Sequence, residues 1–209
     1  MSTIDVIKKI KENSRKRKFT QSWDISIGLK GIDLRKPENR INAEFVLPEG
    51  RGKDQKIVVI ADSLAADAKK HADLVVTKQQ LEELIKNKKK IKKLADDYDR
   101  ILCEAGLMAV VGKNMGAVLG PRGKVPKPIP PKADIAPFVQ MARKTIRVSL
   151  RESPVIHLCV GTESMSEEHV AKNVDSVLNF IKGKLPKGAN NIKTAYLKLT
   201  MSKPEKLEI

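Results

Sequence analysis

The side chains best suited to chemistry in this 209-residue chain are three histidines, two cysteines and several lysine clusters, and their spacing decides what they can do. His71, His157 and His169 each stand without a second ligand at metal-binding spacing, so no metal site is expected. No nucleophile elbow singles out any serine as catalytic. Cys103 and Cys159 lie far apart in apolar runs and read as small core residues of a reducing compartment, since neither a disulfide framework nor a paired-cysteine zinc pattern is present. The stretch LGPRGKVPKPIPPK, residues 119–132, sets Gly120 and Gly123 beside Arg122, Lys124, Lys127 and Lys132. A phosphate-binding loop needs glycine-rich backbone donors ahead of a lysine and a helix. Here the G-x-x-x-x-G-K-[ST] spacing is missing, and prolines replace the donors. Repeated prolines also exclude helix and regular strand, leaving a loop that turns at its glycines. No catalytic residue and no cofactor is expected.

What the chain offers instead is charge. Lys and Arg outnumber Asp and Glu by 41 to 25, a net charge of +16, and such a field draws in polyanions. Nucleic acid is the leading partner class; a merely solvated basic surface and an anionic membrane are the alternatives. Seven aromatics (Phe19, Trp23, Phe45, Tyr98, Phe138, Phe180, Tyr196) are few for stacking along a single strand, which favours backbone and shape recognition of folded RNA or duplex. Lys86, Lys88, Lys89, Lys90, Lys92 and Lys93 share a helical pattern with Leu81, Leu84, Ile85, Ile91 and Leu94 and read as a solvated helix face. In TAYLKLTMSK, hydroxyls beside lysines suit RNA phosphates and 2′-hydroxyls, although threonine is equally at home on any exposed strand. No early apolar stretch resembles a signal peptide and no apolar run reaches 18 residues, so a cytoplasmic protein without a membrane partner is expected.

The elements that must position these residues fall into two grammars. TIDVIKKIKEN predicts an amphipathic helix with Thr3 as its cap. Trp23, Ile25, Ile27 and Leu29 alternate with polar residues, as do Ile41, Ala43, Phe45 and Leu47, which predicts an antiparallel pair with one wet side. After LPEGRGKDQ the pattern changes to short buried strands (KIVVIA, DLVVT, RILCEA) alternating with helices (SLAADAKKHA, KQQLEELIKNKKKIKKLADD, GLMAVVGKNMGAVLG), the signature of a parallel, doubly covered sheet. Wet-faced strands return in TIRVSL, VIHLCVG and TAYLKLTM, where Ala195, Leu197, Leu199 and Met201 share one face. Between them lies a helix striped by Val170, Val174, Val177, Leu178 and Ile181, with Ser164 and Glu167 at capping-box spacing. The prediction is a two-domain fold: a discontinuous α+β sandwich domain from residues 1–50 and 147–209, and an inserted three-layer α/β domain from 51–146.

MGAVLGPRGKVPKP, with its L-G-P-R-G core and V-P-x-P continuation, resembles the signature segment of the ribosomal protein L-one family, of the archaeal type. FTQSWDISIGLKGID, LPEGRGK, VIHLCVG and YLKLTM follow in the family's order. The resemblance implies a discontinuous first domain as main RNA binder and a Rossmann-like second domain. It further implies a non-enzymatic constituent of the large ribosomal subunit that binds the mobile stalk of 23S-type rRNA, assists release of deacylated tRNA from the exit site, and represses its own operon by binding the mRNA. Off the ribosome it would be a monomer. The motif match carries Lys18, Phe19, Ser22, Asp24, Thr194, Thr200, Met201 and Ser202 onto RNA-facing positions, with Arg122 and Lys124 as secondary RNA or interdomain contacts. Ser22 and Ser202 replace the threonine and glycine usual in bacterial members. A general nucleic-acid binder and a nucleotide-dependent enzyme using the α/β domain are the competing readings. Charge pulls against the match: residues 51–146 carry 20 basic and 11 acidic residues, net +9, whereas the two ends together carry 21 and 14, net +7.

Overall fold

Period-two alternation and unbroken apolar runs call for different surroundings, and the computed structural model provides both. It describes residues 2–131 and 133–208, so Lys132 lies outside the described residues. Along the chain run α1 (Thr3–Asn13), β1 (Ser22–Leu29), β2 (Ile41–Val46), β3 (Ile57–Ile60), α2 (Ala65–His71), β4 (Leu74–Val76), α3 (Lys78–Ile85), α4 (Lys88–Asp97), β5 (Arg100–Glu104), α5 (Met108–Leu119), β6 (Lys127–Ile129), α6 (Ile135–Lys144), β7 (Thr145–Leu150), β8 (Val155–Thr162), α7 (Glu167–Lys184), β9 (Ile192–Leu199) and β10 (Glu205–Leu207). They form two units, Met1–Lys53 with Lys144–Ile209, and Asp54–Arg143. The mixed α/β class, with an α+β unit drawn from both ends of the chain and a parallel-sheet unit between, is the one the alternating grammars predict.

In the unit formed by the chain ends, an antiparallel sheet runs in the order β10-β9-β1-β8, and β2 pairs with β7 as a separate ribbon. Every second residue of β1 is buried, and that side packs with Val6, Ile7 and Ile10 of α1 and the apolar stripe of α7 in one core. The other side of β1 stays wet. Buried Asn173 is fully used: its amide donates to the Gly50 and Val160 carbonyls, and its oxygen accepts from Glu49 N–H. In the inserted unit a parallel sheet runs β4-β3-β5-β6. All four residues of β3 are buried because the strand has a core on each side, Val58 and Ile60 in one, Ile57 and Val59 in the other. That is why IVVI shows no alternation.

Several local expectations are corrected. β1 does not pair with β2; its edges are taken by β8 and β9, while β2 finds β7 across the insertion. Alternation fixes which face a strand buries, not which partner it takes. The helix expected over residues 78–97 is two helices, because the Asn87 side chain accepts from Lys89 N–H and restarts the chain as a cap. Ser2, not Thr3, caps α1, in a box with Asp5, and Ser166, not Ser164, caps α7. A strand does form in the proline-rich stretch: β6 pairs with β5 through Lys127–Ile129. It is the sheet's edge, where a proline's missing donor is tolerated. Cys103 is buried as expected, but Cys159 is only half-buried, on the side of β8 away from the core. Met201 leaves the buried face because β9 ends at Leu199.

Candidate nucleic-acid interface

The wet face of the four-stranded sheet is built by the residues that alternate with its core. β1 presents Ser22, Asp24, Ser26 and Gly28, and β9 presents Thr194, Tyr196 and Lys198. The register sets Asp24 between Lys198 and Cys159, and Ser26 between Tyr196 and His157, with Lys206 of β10 beyond Tyr196. Asp24 is the carboxylate of this row. Partial burial raises its pKa above the usual aspartate range, while Lys198, Arg51 and His157 pull it back down. The row therefore combines hydroxyls, one phenol and cations around a single acid, a set suited to phosphates and 2′-hydroxyls.

At one end of this face the backbone folds into a hydrogen-bonded turn. Ser22 N–H donates to the Thr200 hydroxyl at 3.0 Å, and Thr200 N–H donates to the Ser22 carbonyl at 3.1 Å. Leu199 N–H donates to Ser202 Oγ at 2.8 Å, closing the turn. Met201 N–H donates to Gln21 Oε1 at 3.1 Å. Gln21 is fully buried, and its amide nitrogen also reaches Ser14 Oγ at 3.3 Å. Its own carbonyl accepts from Glu163 N–H at 2.8 Å. One side chain thus ties the basic arm of residues 14–20 to this turn. Held this way, Met201 is 57 % exposed and Phe19 52 % exposed, large apolar side chains set among cations.

The arm has a cleft on each side. One, of about 520 Å³, is lined by Arg15, Arg17, Met201, Ser202 and Lys203 among others. A second, of about 470 Å³, is lined by Lys16, Arg17, Lys18, Phe19 and Thr20 with Glu163 and Ser164. The structure thus brings Lys18, Phe19, Ser22, Thr200, Met201 and Ser202 to one end of the sheet, with Asp24 one step in. Thr194 sits at the other end, against Gly28, six residues or about 20 Å along β1 from Ser22. Residues outside the motif-matched set join it: Gln21, Arg15, Arg17 and Lys203 around the turn, Tyr196 and Lys198 on the face, and Arg51 beside Asp24. The alternation of TAYLKLTM already puts Tyr196 and Lys198 on the face of hydroxyls and lysines weighed from the sequence, although the motif match leaves them out. Nothing local marks Gln21, whose key partner lies 180 residues away.

Arg122 and Lys124 are engaged inside the inserted unit. Arg122 Nε donates to Asp96 Oδ1 at 3.0 Å. Lys124 Nζ donates to the Ala95 and Tyr98 carbonyls at 2.6 and 2.8 Å, capping the C-terminal end of α4. Gly123, at φ 71°, makes the turn that places them. The charge conflict also resolves. With the structural boundaries, Arg51, Lys53 and Lys144 belong to the unit of the chain ends, which carries 24 basic and 14 acidic residues, net +10. The inserted unit carries 17 and 11, net +6.

Comparison with known proteins adds a family. Residues 8–203 match the model of the ribosomal protein L1p/L10e family. The large ribosomal subunit protein uL1 of Methanothermobacter thermautotrophicus is 50 % identical over 200 residues, covering 95 % of this chain and 94 % of the relative. The uL1 proteins of Methanothermococcus thermolithotrophicus and Pyrococcus horikoshii are each 44 % identical, over 100 % and 98 % of this chain and 100 % and 94 % of their own lengths.

Proposed function

Since the chain belongs to the ribosomal protein L1p/L10e family, we propose that the wet face of the β10-β9-β1-β8 sheet and the turn at its end are the surface by which it holds RNA. The protein is a non-enzymatic structural constituent of the large ribosomal subunit, and its place is the cytoplasm, with the ribosome. Its RNA is the stalk region of the large-subunit rRNA. The unit built from both chain ends is the main binder, through Lys18, Phe19, Ser22, Asp24, Thr200, Met201 and Ser202, with Thr194 touching a more distant part of the same RNA. The observation that carries this reading is the Gln21-anchored turn, which fixes Thr200 and Met201 beside a basic arm before any ligand arrives. Preorganised polar groups lose little freedom on binding, so they can recognise one RNA shape rather than charge alone.

Two further roles follow from one fixed RNA surface. Holding the stalk places the protein where it assists release of deacylated tRNA from the exit site. An mRNA that reproduces the rRNA shape would occupy the same surface, so the protein represses its own operon once rRNA is saturated, provided rRNA binds more tightly than the message. Off the ribosome it is a monomer.

Competition tests the reading. The full chain is titrated with a stalk-like rRNA fragment and with an unrelated duplex of equal length at moderate salt. A preference of 10³-fold or more for the stalk fragment is expected for specific recognition. Equal affinities would make the protein a general polyanion binder and sink the proposal. Thr200→Ala combined with Met201→Ala should erase most of the preference while the protein stays folded.

A further inference from the structure

Five lysines of the run lie on the outward side of α4 in the inserted unit, and Lys86 is the C-cap of α3 just before it. Ile91, Leu94 and Ala95 are buried, and Lys86, Lys88, Lys89, Lys90, Lys92 and Lys93 are all exposed. A solvated face explains the exposure but not the arrangement. The first turn of α4 contains three lysines and no acid, and its last turn ends on Asp96 and Asp97 with no base. A helix prefers the reverse, since its N-terminal end carries partial positive charge and its C-terminal end partial negative charge. Among the other helices α1 and α7 obey the preference, whereas α3 departs from it in the same sense, with Lys78 first and Glu82 and Glu83 in its last turn. α1 has Asp5 in its first turn and Lys11 in its last; α7 has Glu167 and Glu168 in its first, Lys182 and Lys184 in its last.

Neighbours relieve the strain on α4 only in part, through Asp96 and Asp97 four residues beyond Lys92 and Lys93. Lys88 and Lys92, like Lys89 and Lys93, are four residues apart, where like charges repel. Among the described residues none of the six lysines takes an ion pair. Asp96 is held by Arg122 instead. The helix thus concentrates unpaired cations against its own stability, an arrangement that an external anion would reverse.

We propose that the outward face of α4 is a second RNA contact, taking the phosphate backbone of a helical RNA segment without regard to its sequence. Ammonium groups on flexible stems act as point charges towards closely spaced phosphates, with neither the forked donors nor the aromatic platforms that would read bases. A membrane would need apolar residues beside the lysines, and the apolar residues of α4 face its own core. The contact is independent of which RNA the other unit recognises, so a duplex unrelated to the stalk probes it alone.

The experiment uses the full chain with Lys88, Lys89, Lys90, Lys92 and Lys93 changed to Gln, and a second variant carrying only Lys88→Glu and Lys89→Glu. Binding to an unrelated 20-base-pair RNA duplex is measured between 50 and 200 mM salt, with thermal unfolding in parallel. For the five-fold variant the expected result is affinity at least 10-fold weaker at low salt and a log–log salt slope shallower by roughly 2 or more. The two-fold variant should bind more weakly yet melt at the same or a higher temperature, because its charges now suit the helix. Preference for the stalk fragment over the duplex should persist in both. An unchanged slope, or a melting temperature that falls together with affinity, would overturn the proposal. So would lysine-dependent binding to anionic-lipid vesicles without any effect on duplex binding.

Discussion

Gln21→Met separates the geometry of the turn from its packing. Methionine keeps most of the length and volume of glutamine, so the loss from packing stays below about 1.5 kcal/mol. Two hydrogen bonds go. Ser14 can turn its hydroxyl to water at little cost, but the partly buried Met201 N–H loses its acceptor, worth about 1–3 kcal/mol. A net loss of about 2 kcal/mol is expected. For a unit of this size that corresponds to a melting temperature lower by about 8 °C. The Met201 amide should exchange with solvent about 30-fold faster if the loss is local, which hydrogen exchange reads directly. Affinity for the stalk fragment should fall as well, because Thr200 and Met201 would have to be ordered by the RNA at the moment of binding. Faster exchange at Met201 with undiminished RNA affinity would refute the reasoning, since the turn could then be loosened without consequence for binding.

Other expectations test neighbouring parts of the same logic. Burial raises the pKa of Asp24, so its ionised form opposes folding. Relative to Asp24→Asn, wild type should lose stability as pH rises from the ordinary aspartate range to the raised value, a difference that pH-dependent melts of the pair read. If the carboxylate accepts hydrogen bonds from RNA, that variant binds the stalk fragment at least about 10-fold more weakly; tighter binding would remove Asp24 from the interface. Gly52→Ala places a methyl group at φ 69°, 2.6 Å from Met165 Sδ and against the Thr162 hydroxyl. It should cost about 3 kcal/mol in denaturant melts through backbone strain and overpacking. The Ser63 hydroxyl and then the Asp62 N–H hold the Glu104 pKa below the usual glutamate range. Its contribution is complete above that range and lost as pH falls through the depressed value. Urea melts of Glu104→Gln and wild type should therefore differ by about 1 kcal/mol at pH 7 and converge in acid; parallel curves would contradict this.

The fold was legible where the signal is periodic. IVVI in β3 announces a strand buried on both faces, and the alternation from Trp23 to Leu29 assigns the wet side of β1 correctly. Partners were not legible, because the pairing of β1 with β8 and β9 joins segments more than 120 residues apart, and hydrophobic pattern is indifferent to sequence distance. Helix ends slipped for a related reason. Ser2 and Thr3, like Ser164 and Ser166, are equally good caps by type, and only backbone geometry chooses between them. Resemblance to a family supplied most of the candidate site, yet left out Gln21, a buried polar residue whose side chain reaches parts of the chain that no local pattern joins.

Charge illustrates how position outweighs composition. Moving three cations across a boundary of a few residues changes which unit is the more basic, so net charge cannot locate an interface here. Whether a cation already has a partner is more telling. Lys124 caps two carbonyls and Arg122 holds a carboxylate, whereas the lysines of α4 take no ion pair among the described residues and Lys198 stands across from a carboxylate of raised pKa. The same reasoning applies to Ser202. Its hydroxyl accepts from Leu199 N–H at 2.8 Å and lies 3.3 and 3.2 Å from the Leu199 and Lys203 carbonyls. It therefore closes the turn with its hydrogen and one lone pair, leaving the second lone pair to accept from RNA. A glycine at this position would leave that closure to the backbone and allow closer approach. On the proposed surface Ser202 would meet RNA as an acceptor only, beside Thr200, Met201 and the cation of Lys203.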